Sequence, residues 1–239
     1  MKLNLLLSAI LFLSFASCDY INKRTVNGNG DFSNETRNIS SANKIKLEGS
    51  MDVDLIPGSG PSVKVIADKN LLQYIETKNE GGELVIKISD DYNLKSNNQI
   101  KVEVTTPALE SLDVAGNGKV VGKGKFSGSN KFDLDLGGNS DVDLDINTPA
   151  VDVSIAGSGN IEIKGETKKL GISIAGSGNF KGDDLMAEDA DVSVAGSGDV
   201  HVFADGKLDV QVMGSGDVYY KGNAQVKSNI MGSGKVVKQ

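Results

Sequence analysis

Residues 151–165 read VDVSIAGSGNIEIKG, and the next copy, residues 170–182, reads LGISIAGSGNFKG. In both copies, apolar and polar side chains alternate on each side of a Gly-Ser-Gly motif. Alternation with a period of two is typical of β-strands that bury one face. Glycine is the residue that best permits a sharp corner between two strands. Each copy therefore predicts two short strands joined by a glycine corner.

From Gly116 onward the motif has seven copies, five of them exact and two altered, and its leading glycines are predicted structural turn residues. These glycines are Gly116, Gly138, Gly157, Gly176, Gly196, Gly214 and Gly232. Neighbouring members of this set are separated by about 19 residues, with small variations from copy to copy. One such repeat cannot bury its apolar face alone, so the copies must stack with equivalent strands parallel.

We therefore predict an all-β fold, a parallel β-solenoid (β-helix-like) with coils of about 19 residues. Right-handed coiling is expected, because parallel connections strongly prefer that hand. A sandwich of independent hairpins would also contain short strands and glycine turns. It would not require the same residue types at the same interval along the chain, so the solenoid is favoured.

Residues 39–110 lack the regular motif, which occupies residues 111–239 of one expected solenoid domain, 39–239. A degenerate copy of the repeat, IKLEGSMDVDL, has Gly49 in the position of the leading glycine, well before Gly116 in the chain. That separation leaves room for about three divergent N-terminal coils. Within residues 69–77 the apolar side chains could share a helical face, but a strand or irregular turn is favoured.

The N-terminus is predicted to be a lipoprotein signal peptide, residues 1–17. Lys2 precedes an apolar run, residues 5–15, that is too short to span a bilayer and is followed by Ala-Ser-Cys. This resembles the bacterial lipobox, with Phe15 in place of the usual aliphatic residue, and predicts lipidation of Cys18. Ordinary secretory cleavage before Cys18 is the alternative. Residues 18–38 are polar and are predicted to form a flexible tether.

A lipid-modified Cys18 would make the membrane a partner of the protein and place it outside the cytoplasm. We expect an outer-membrane anchor, facing either the periplasm or the cell surface. The net charge of −7 argues against nucleic acid as a partner. A single cysteine and a single histidine, His201, exclude an internal disulfide, a thiolate zinc site and a histidine cluster. We predict no cofactor and no metal.

The residues of the motif have a structural interpretation and a functional one. Structurally, the serines are expected to form a ladder of hydroxyl groups along the stack: Ser158, Ser177, Ser197, Ser215 and Ser233. The last motif position would form a second ladder that caps turn amides: Asn160, Asn179, Asp199 and Asp217. The functional alternative is calcium binding. It is disfavoured because Lys119 and Lys235 occupy the same position in two copies.

Other candidate features lie outside the motif. An acidic run is expected on one exposed face, where weak cation binding is the alternative to a solvated surface: Asp133, Asp135, Asp141, Asp143 and Asp145. Two breaks in the repeat predict short loop insertions, at residues 123–126 and 183–191. His201 is expected on the polar face beside Asp199, and one ring of Tyr219-Tyr220 is expected to point outward.

No catalytic residue is predicted. No base is repeated beside the motif serines, and a lone exposed histidine is more often a surface residue than a catalytic one. A polysaccharide lyase on a β-helix is the main enzymatic alternative. It usually uses Arg or Lys bases and aromatic platforms, but this chain has no Trp and no Arg after Arg37.

The sequence resembles the putative auto-transporter adhesin, head GIN domain family, over about residues 32–239. The resemblance depends on residues 45–55, 62–86 and 100–120 and on the serial AGSGN/D copies. It implies an all-β, β-helix-like fold and a role in adhesion. We therefore expect a non-enzymatic adhesion or binding scaffold in the cell envelope, with a glycan or protein as surface ligand. A carbohydrate-binding or carbohydrate-active protein, and a self-associating structural envelope component, are the alternatives.

Overall fold

The structure, a computed structural model, describes residues 23–239. The predicted signal peptide and Cys18 lie outside these residues. The described chain forms twenty strands and one 3₁₀ helix, Leu72–Tyr74, and contains no α-helix. No helix in this part of the chain is long and apolar enough to cross a membrane.

The first ten strands are β1 Arg24–Asn27, β2 Phe32–Arg37, β3 Lys44–Gly49, β4 Asp52–Pro57, β5 Ser62–Asp68, β6 Ile75–Glu80, β7 Glu83–Ile88, β8 Tyr92–Lys95, β9 Lys101–Thr106 and β10 Ser111–Gly116. The remaining ten are β11 Lys119–Ser127, β12 Phe132–Gly138, β13 Asp141–Asn147, β14 Ala150–Gly157, β15 Asn160–Gly176, β16 Asn179–Gly196, β17 Val200–Gly214, β18 Val218–Lys221, β19 Gln225–Gly232 and β20 Val236–Lys238.

Successive coils stack through parallel strand pairs that keep the glycines in register. Gly157 lies opposite Gly176 in the pairing of β14 with β15, and Gly176 lies opposite Gly196 in the pairing of β15 with β16. The strand segments that precede a glycine corner form one side of the solenoid, called here the first face. The segments that follow the corner form the second face. The all-β parallel solenoid with coils of about 19 residues is thereby confirmed.

The core consists of inward columns of apolar side chains, one residue from each coil. On the first face, Val151, Leu170, Ala190 and Leu208 follow one another in register and are buried. Full burial of such an aliphatic side chain contributes about 1.5–3 kcal/mol. Because inward positions are committed to this core, the outward columns are the part of each coil that can contact a ligand.

The N-terminal third is built differently from the expected series of divergent coils. Gly116 stacks directly on Gly49, because β10 pairs with β3 in register, so the expectation of three intervening coils is wrong. Instead, β5 runs antiparallel to β2 and β9, and β6 runs antiparallel to β7. The β6–β7 hairpin turns at Gly81 and Gly82, both with positive φ, a pair of residues that favours a tight hairpin. Of the intervening strands, β7 and β9 continue the parallel stack beyond β3 and β4.

The segment predicted as a possible helix, residues 69–77, forms the 3₁₀ turn followed by β6, which confirms the favoured alternative. The predicted tether differs from the structure, because it contains β1 and β2. Arg37 fixes β2 by donating from Nη2 to the Leu72 carbonyl oxygen at 2.7 Å. The polar side chains of β2 hide this strand from a pattern search based on apolar alternation.

Length differences between coils are absorbed within strands. The extra residues expected as loops produce register shifts between Val121 and Lys125 in β11 and between Gly182 and Met186 in β16. These shifts are β-bulges, which re-aim nearby side chains while the ladder continues on both sides.

The acidic run does not occupy one face, contrary to expectation. Asp133 and Asp135 lie on β12 of the first face, whereas Asp141, Asp143 and Asp145 lie on β13 of the second face. The corner at Gly138 separates the two groups. The alternation of apolar and polar residues could not reveal this separation, because the same alternation continues on both sides of the corner.

Candidate ligand-binding groove

The predicted turn glycines stack into a column at the corner between the two faces. Each has a positive φ, between 112° and 146°: Gly116, Gly138, Gly157, Gly176, Gly196, Gly214 and Gly232. A Cβ atom added at Gly176 would lie 2.4 Å from the carbonyl oxygen of Gly157 in the preceding coil. Conformation and space therefore both select glycine at this corner.

The motif serines lie outside the core, and their backbone amides join the coils. The Ser177 amide donates to the Gly157 carbonyl oxygen at 2.9 Å, and the Ser197 amide donates to the Gly176 oxygen at 2.9 Å. The serines follow one another along the stack as expected, because the glycines before them are in register, but within residues 23–239 their hydroxyls do not bond to one another. Equivalent atoms in adjacent parallel strands are about 4.8 Å apart, too far for an O–H···O bond.

The last motif position does form a ladder, called here the Asx ladder: Asp141, Asn160, Asn179, Asp199 and Asp217. Asn160 Nδ2 donates to Asp141 Oδ1 at 2.8 Å, and Asn179 Nδ2 donates to Asn160 Oδ1 at 2.9 Å. Further along, the Asp199 amide donates to Asn179 Oδ1, and the Asp217 amide donates to Asp199 Oδ1, both at 2.9 Å. The side-chain oxygens thus cap the backbone of the following coil.

The two lysines at this position fit the ladder through their backbone. The Lys235 amide donates to Asp217 Oδ1 at 3.1 Å, and the Lys119 amide donates to Asp52 Oδ1 at 3.0 Å. Neither contact requires a side-chain oxygen on the lysine itself. The position therefore tolerates lysine, and no bound cation is needed to account for the ladder.

Beside the Asx ladder, a groove of about 500 Å³ crosses the coils of the second face. One wall is the outward column at the strand starts: Lys119, Asp141, Asn160, Asn179 and Asp199. The other wall is the outward column two residues later: Asp143, Glu162, Lys181 and His201. The backbone of Val142, Ile161 and Phe180 forms the floor between the walls, because their side chains are buried in the core.

The charges in the groove are mixed: four carboxylates and two lysines line it. Lys181 Nζ lies 3.2 Å from Glu162 Oε1, and both side chains are about half exposed. Among residues 23–239, no group of three or more His, Cys, Asp or Glu side chains could hold a metal ion. Each wall contains both hydrogen-bond donors and acceptors along its length.

His201 ends the groove with an aromatic ring held from two sides. Its ring stacks on that of Tyr219 in the following coil, with centroids 4.7 Å apart and planes 22° apart. His201 Nδ1 lies 3.5 Å from Asp183 Oδ2, and Lys221 Nζ lies 3.2 Å from Asp183 Oδ1. The ring face opposite Tyr219 is therefore turned toward the coil of Lys181 and the groove.

Tyr219 is in turn fixed by Asp217. The Tyr219 hydroxyl donates to Asp217 Oδ2 at 3.1 Å, and this bond raises the pKa of Tyr219 above its ordinary value. Tyr219 is thus the outward ring of the tyrosine pair, while Tyr220 packs against the core.

Asp183 was not singled out from the sequence as a site residue. It belongs to the bulge that the longer coil between Gly176 and Gly196 requires, and that irregular spacing was the available signal. The bulge places its carboxylate, 13% exposed, under His201. No serine or threonine hydroxyl within residues 23–239 bonds to His201.

Comparison with known proteins agrees with the fold and the repeat. The family model described as "Putative auto-transporter adhesin, head GIN domain" matches residues 42–224. A search of the curated proteins finds no match to this chain.

Solved structures with the same fold come from Bacteroides and Parabacteroides species. A putative adhesin from Bacteroides fragilis superimposes with a TM-score of 0.82 at 19% identity. A putative lipid binding protein from Parabacteroides distasonis has a TM-score of 0.72 at 27% identity, and a putative adhesin from the same species has 0.70 at 24%. In each case the match covers 90% of this chain and 100% of the other. The chain therefore belongs to the putative auto-transporter adhesin, head GIN domain family.

Proposed function

We propose that this protein is a lipid-anchored, non-enzymatic adhesion scaffold that binds an extended surface ligand in the groove of the second face. The observation that carries the proposal is the groove itself, which crosses five coils and is lined by outward side chains that the core does not use. The solenoid holds these side chains at a fixed spacing, which preorganises them for a long ligand.

The anchor in this proposal is Cys18, five residues before the first described residue. Five residues span at most about 18 Å when extended, so the N-terminal end of the fold would lie close to the membrane. The strand β1 pairs with β8 in the N-terminal part of the molecule, whereas the groove lies on β11 to β17. This order would leave the groove accessible above the lipid surface, at the outer membrane in our proposal.

Several features support binding over catalysis. The four carboxylates of the groove are distributed along it, and two of them, Asp141 and Asp199, each use one oxygen to hold the Asx ladder. One face of the His201 ring is covered by Tyr219, and its Nδ1 lies 3.5 Å from Asp183 Oδ2. A binding role needs only the positions of these groups, which the coils fix.

Two alternatives each have one supporting observation. Four carboxylates in one groove favour a carbohydrate-binding or carbohydrate-active β-helix protein. The last coil favours a self-associating envelope component, because Val226 and Met231 on β19 are 39% and 58% exposed. Lys227 on the same strand opposes that alternative, since charged residues on an end strand discourage pairing.

The proposed binding function is tested with residues 19–239, which contain the whole described fold. The protein is applied to arrays of glycans and host-matrix proteins, with and without a chelator, and retained ligands are analysed for cleavage. We expect chelator-independent binding without cleavage products. Binding to nothing on the arrays would refute the adhesion role, and cleavage would support the enzymatic alternative.

The proposed anchor is tested separately by feeding bacteria a labelled fatty acid. We expect label on the full-length protein and none on Cys18→Ser, with the variant released from the membrane fraction. Equal membrane retention of both proteins would refute anchoring through Cys18.

A further inference from the structure

We propose that the ligand of the groove is an uncharged, unbranched chain of hexose sugars, which lies across the coils and packs its terminal ring against His201. This inference rests on the proposed binding function and adds a chemical class to it. Three properties of the groove carry it: its length, the arrangement of its unused donors and acceptors, and its aromatic end.

The groove has the length that suits a chain of rings. Five residues on successive coils form its first wall, so four steps of about 4.8 Å give a length of about 19 Å. Between the walls lies the backbone of Val142, Ile161 and Phe180, because their side chains point into the core. The groove is therefore long enough for an extended ligand that crosses several coils.

The first wall presents unused polar atoms in a row. Asp141 and Asp199 each give one oxygen to the Asx ladder, and within residues 23–239 their Oδ2 atoms have no partner. Asn160 and Asn179 each donate once through Nδ2, which leaves a second N–H on each amide. These four residues therefore offer acceptors at Asp141 and Asp199 and donors at Asn160 and Asn179 between them. Hydroxyl groups both donate and accept, so they can satisfy all four.

The charge pattern disfavours charged polymers. Lys119 lies one coil from Asp141 in the first wall, and Lys181 lies one coil from Glu162 in the second. A polyanion would meet the four carboxylates, and a polycation would meet the two lysines although the groove carries a net negative charge. An uncharged ligand has no like charge to oppose, and charged and amide groups both bond to hydroxyls.

The His201 ring supplies an end wall. One face is covered by Tyr219, and the other is directed toward the preceding coil, where its register partner Lys181 pairs with Glu162 at 3.2 Å. Aromatic faces carry partial negative charge and attract the slightly positive C–H groups of a sugar face. Because the ring is already held by Tyr219 and Asp183, little conformational entropy is lost when a sugar packs on it.

The test measures binding by calorimetry of residues 19–239 to three probes: a neutral hexose tetrasaccharide panel, its sulfated counterparts and an oligolysine peptide. We expect at least one neutral tetrasaccharide to bind and the other two probes to bind more weakly. His201→Ala should weaken that binding about tenfold, the loss of one stacking contact. Lys181→Trp should abolish it by filling the groove. Lys44→Trp, an exposed lysine on β3 of the first face, is the matched control and should bind like the wild type.

Preferential binding of oligolysine or of the sulfated probes would overturn the proposal. It would also be overturned if both groove variants bound like the wild type. If the protein binds ligands on the arrays but no neutral tetrasaccharide, the sugar assignment fails while the adhesion role stands. If it binds nothing in either experiment, both fail. Circular dichroism of each variant establishes that the solenoid is intact, and either groove variant that folds is sufficient for the test.

Discussion

Gly138→Ala and Gly137→Ala form a matched pair that tests the glycine corner by one methyl group at adjacent positions. Gly138 has a φ of +112°, and a Cβ atom there would lie 2.4 Å from the Gly116 carbonyl oxygen of the preceding coil. Gly137 has no positive φ, and its nearest neighbour to an added Cβ is the Val114 carbonyl oxygen at 3.9 Å. Only the first substitution should therefore strain the stack.

The magnitude follows from those two differences. A non-glycine residue in a strained backbone region costs about 1–3 kcal/mol, and forcing extra volume into a packed site costs about 1–3 kcal/mol. We expect Gly138→Ala to lower the free energy of unfolding by about 2–6 kcal/mol. Gly137→Ala should be neutral or stabilise the protein by up to about 1 kcal/mol, because alanine restricts the unfolded chain.

Urea unfolding followed by circular dichroism measures both variants against the wild type. The account predicts a midpoint clearly below that of the wild type for Gly138→Ala and an equal or higher midpoint for Gly137→Ala. Equal midpoints for the two variants would refute the argument that the corner selects glycine through conformation and stacking.

Three further substitutions test individual side-chain interactions. Asn179→Ala should cost about 1–2 kcal/mol in urea unfolding, because it leaves the Asp199 amide without its acceptor; no change would contradict the capping role of the Asx ladder. The pKa of Asp68 is held below its ordinary value by hydrogen bonds from Ser96 and Asn98, so its contribution is present at neutral pH and is lost as pH falls through the folded-state pKa. Asp68→Asn should therefore be less stable than the wild type at pH 7, with the difference vanishing at acidic pH; a gap that persists in acid would argue otherwise. The Lys131 ammonium lies between carboxylates of two adjacent coils, which raise its pKa. Lys131→Gln should therefore lower the unfolding midpoint more in low salt than in 1 M salt, where the screening length is only about 3 Å.

The regular part of the fold was accessible from the sequence because each coil repeats the same physical requirement. Gly157 and Gly176 must both turn and must both accept a neighbouring backbone at close range, so the pattern survives in each copy. The last motif position likewise serves the following coil. Its Asx residues could therefore be recognised as a ladder before their contacts were known.

The N-terminal third could not be derived in the same way. Its strands pair antiparallel over long sequence separations, as β2 does with β5, and such pairing leaves no periodic trace. The one local signal is the Gly81-Gly82 pair, which is typical of a tight hairpin.

The site was only partly predictable for a related reason. His201 and Tyr219 occupy equivalent positions in consecutive repeats, and the repeat length alone places them on adjacent coils. Asp183 depends on a bulge whose position within its longer coil the sequence does not fix. The acidic run was misplaced because alternation does not show which side of a corner a residue occupies.

Chemical-shift mapping of isotopically labelled residues 19–239 with a neutral hexose tetrasaccharide tests the central claim most directly, because it locates the ligand on the solenoid. The account predicts that the perturbed amides cluster around Asn160, Asn179 and His201 on the second face. Those of Ser173 and Ser193, outward on the first face, should not move. Perturbations centred on the first face, or none at the groove, would contradict it.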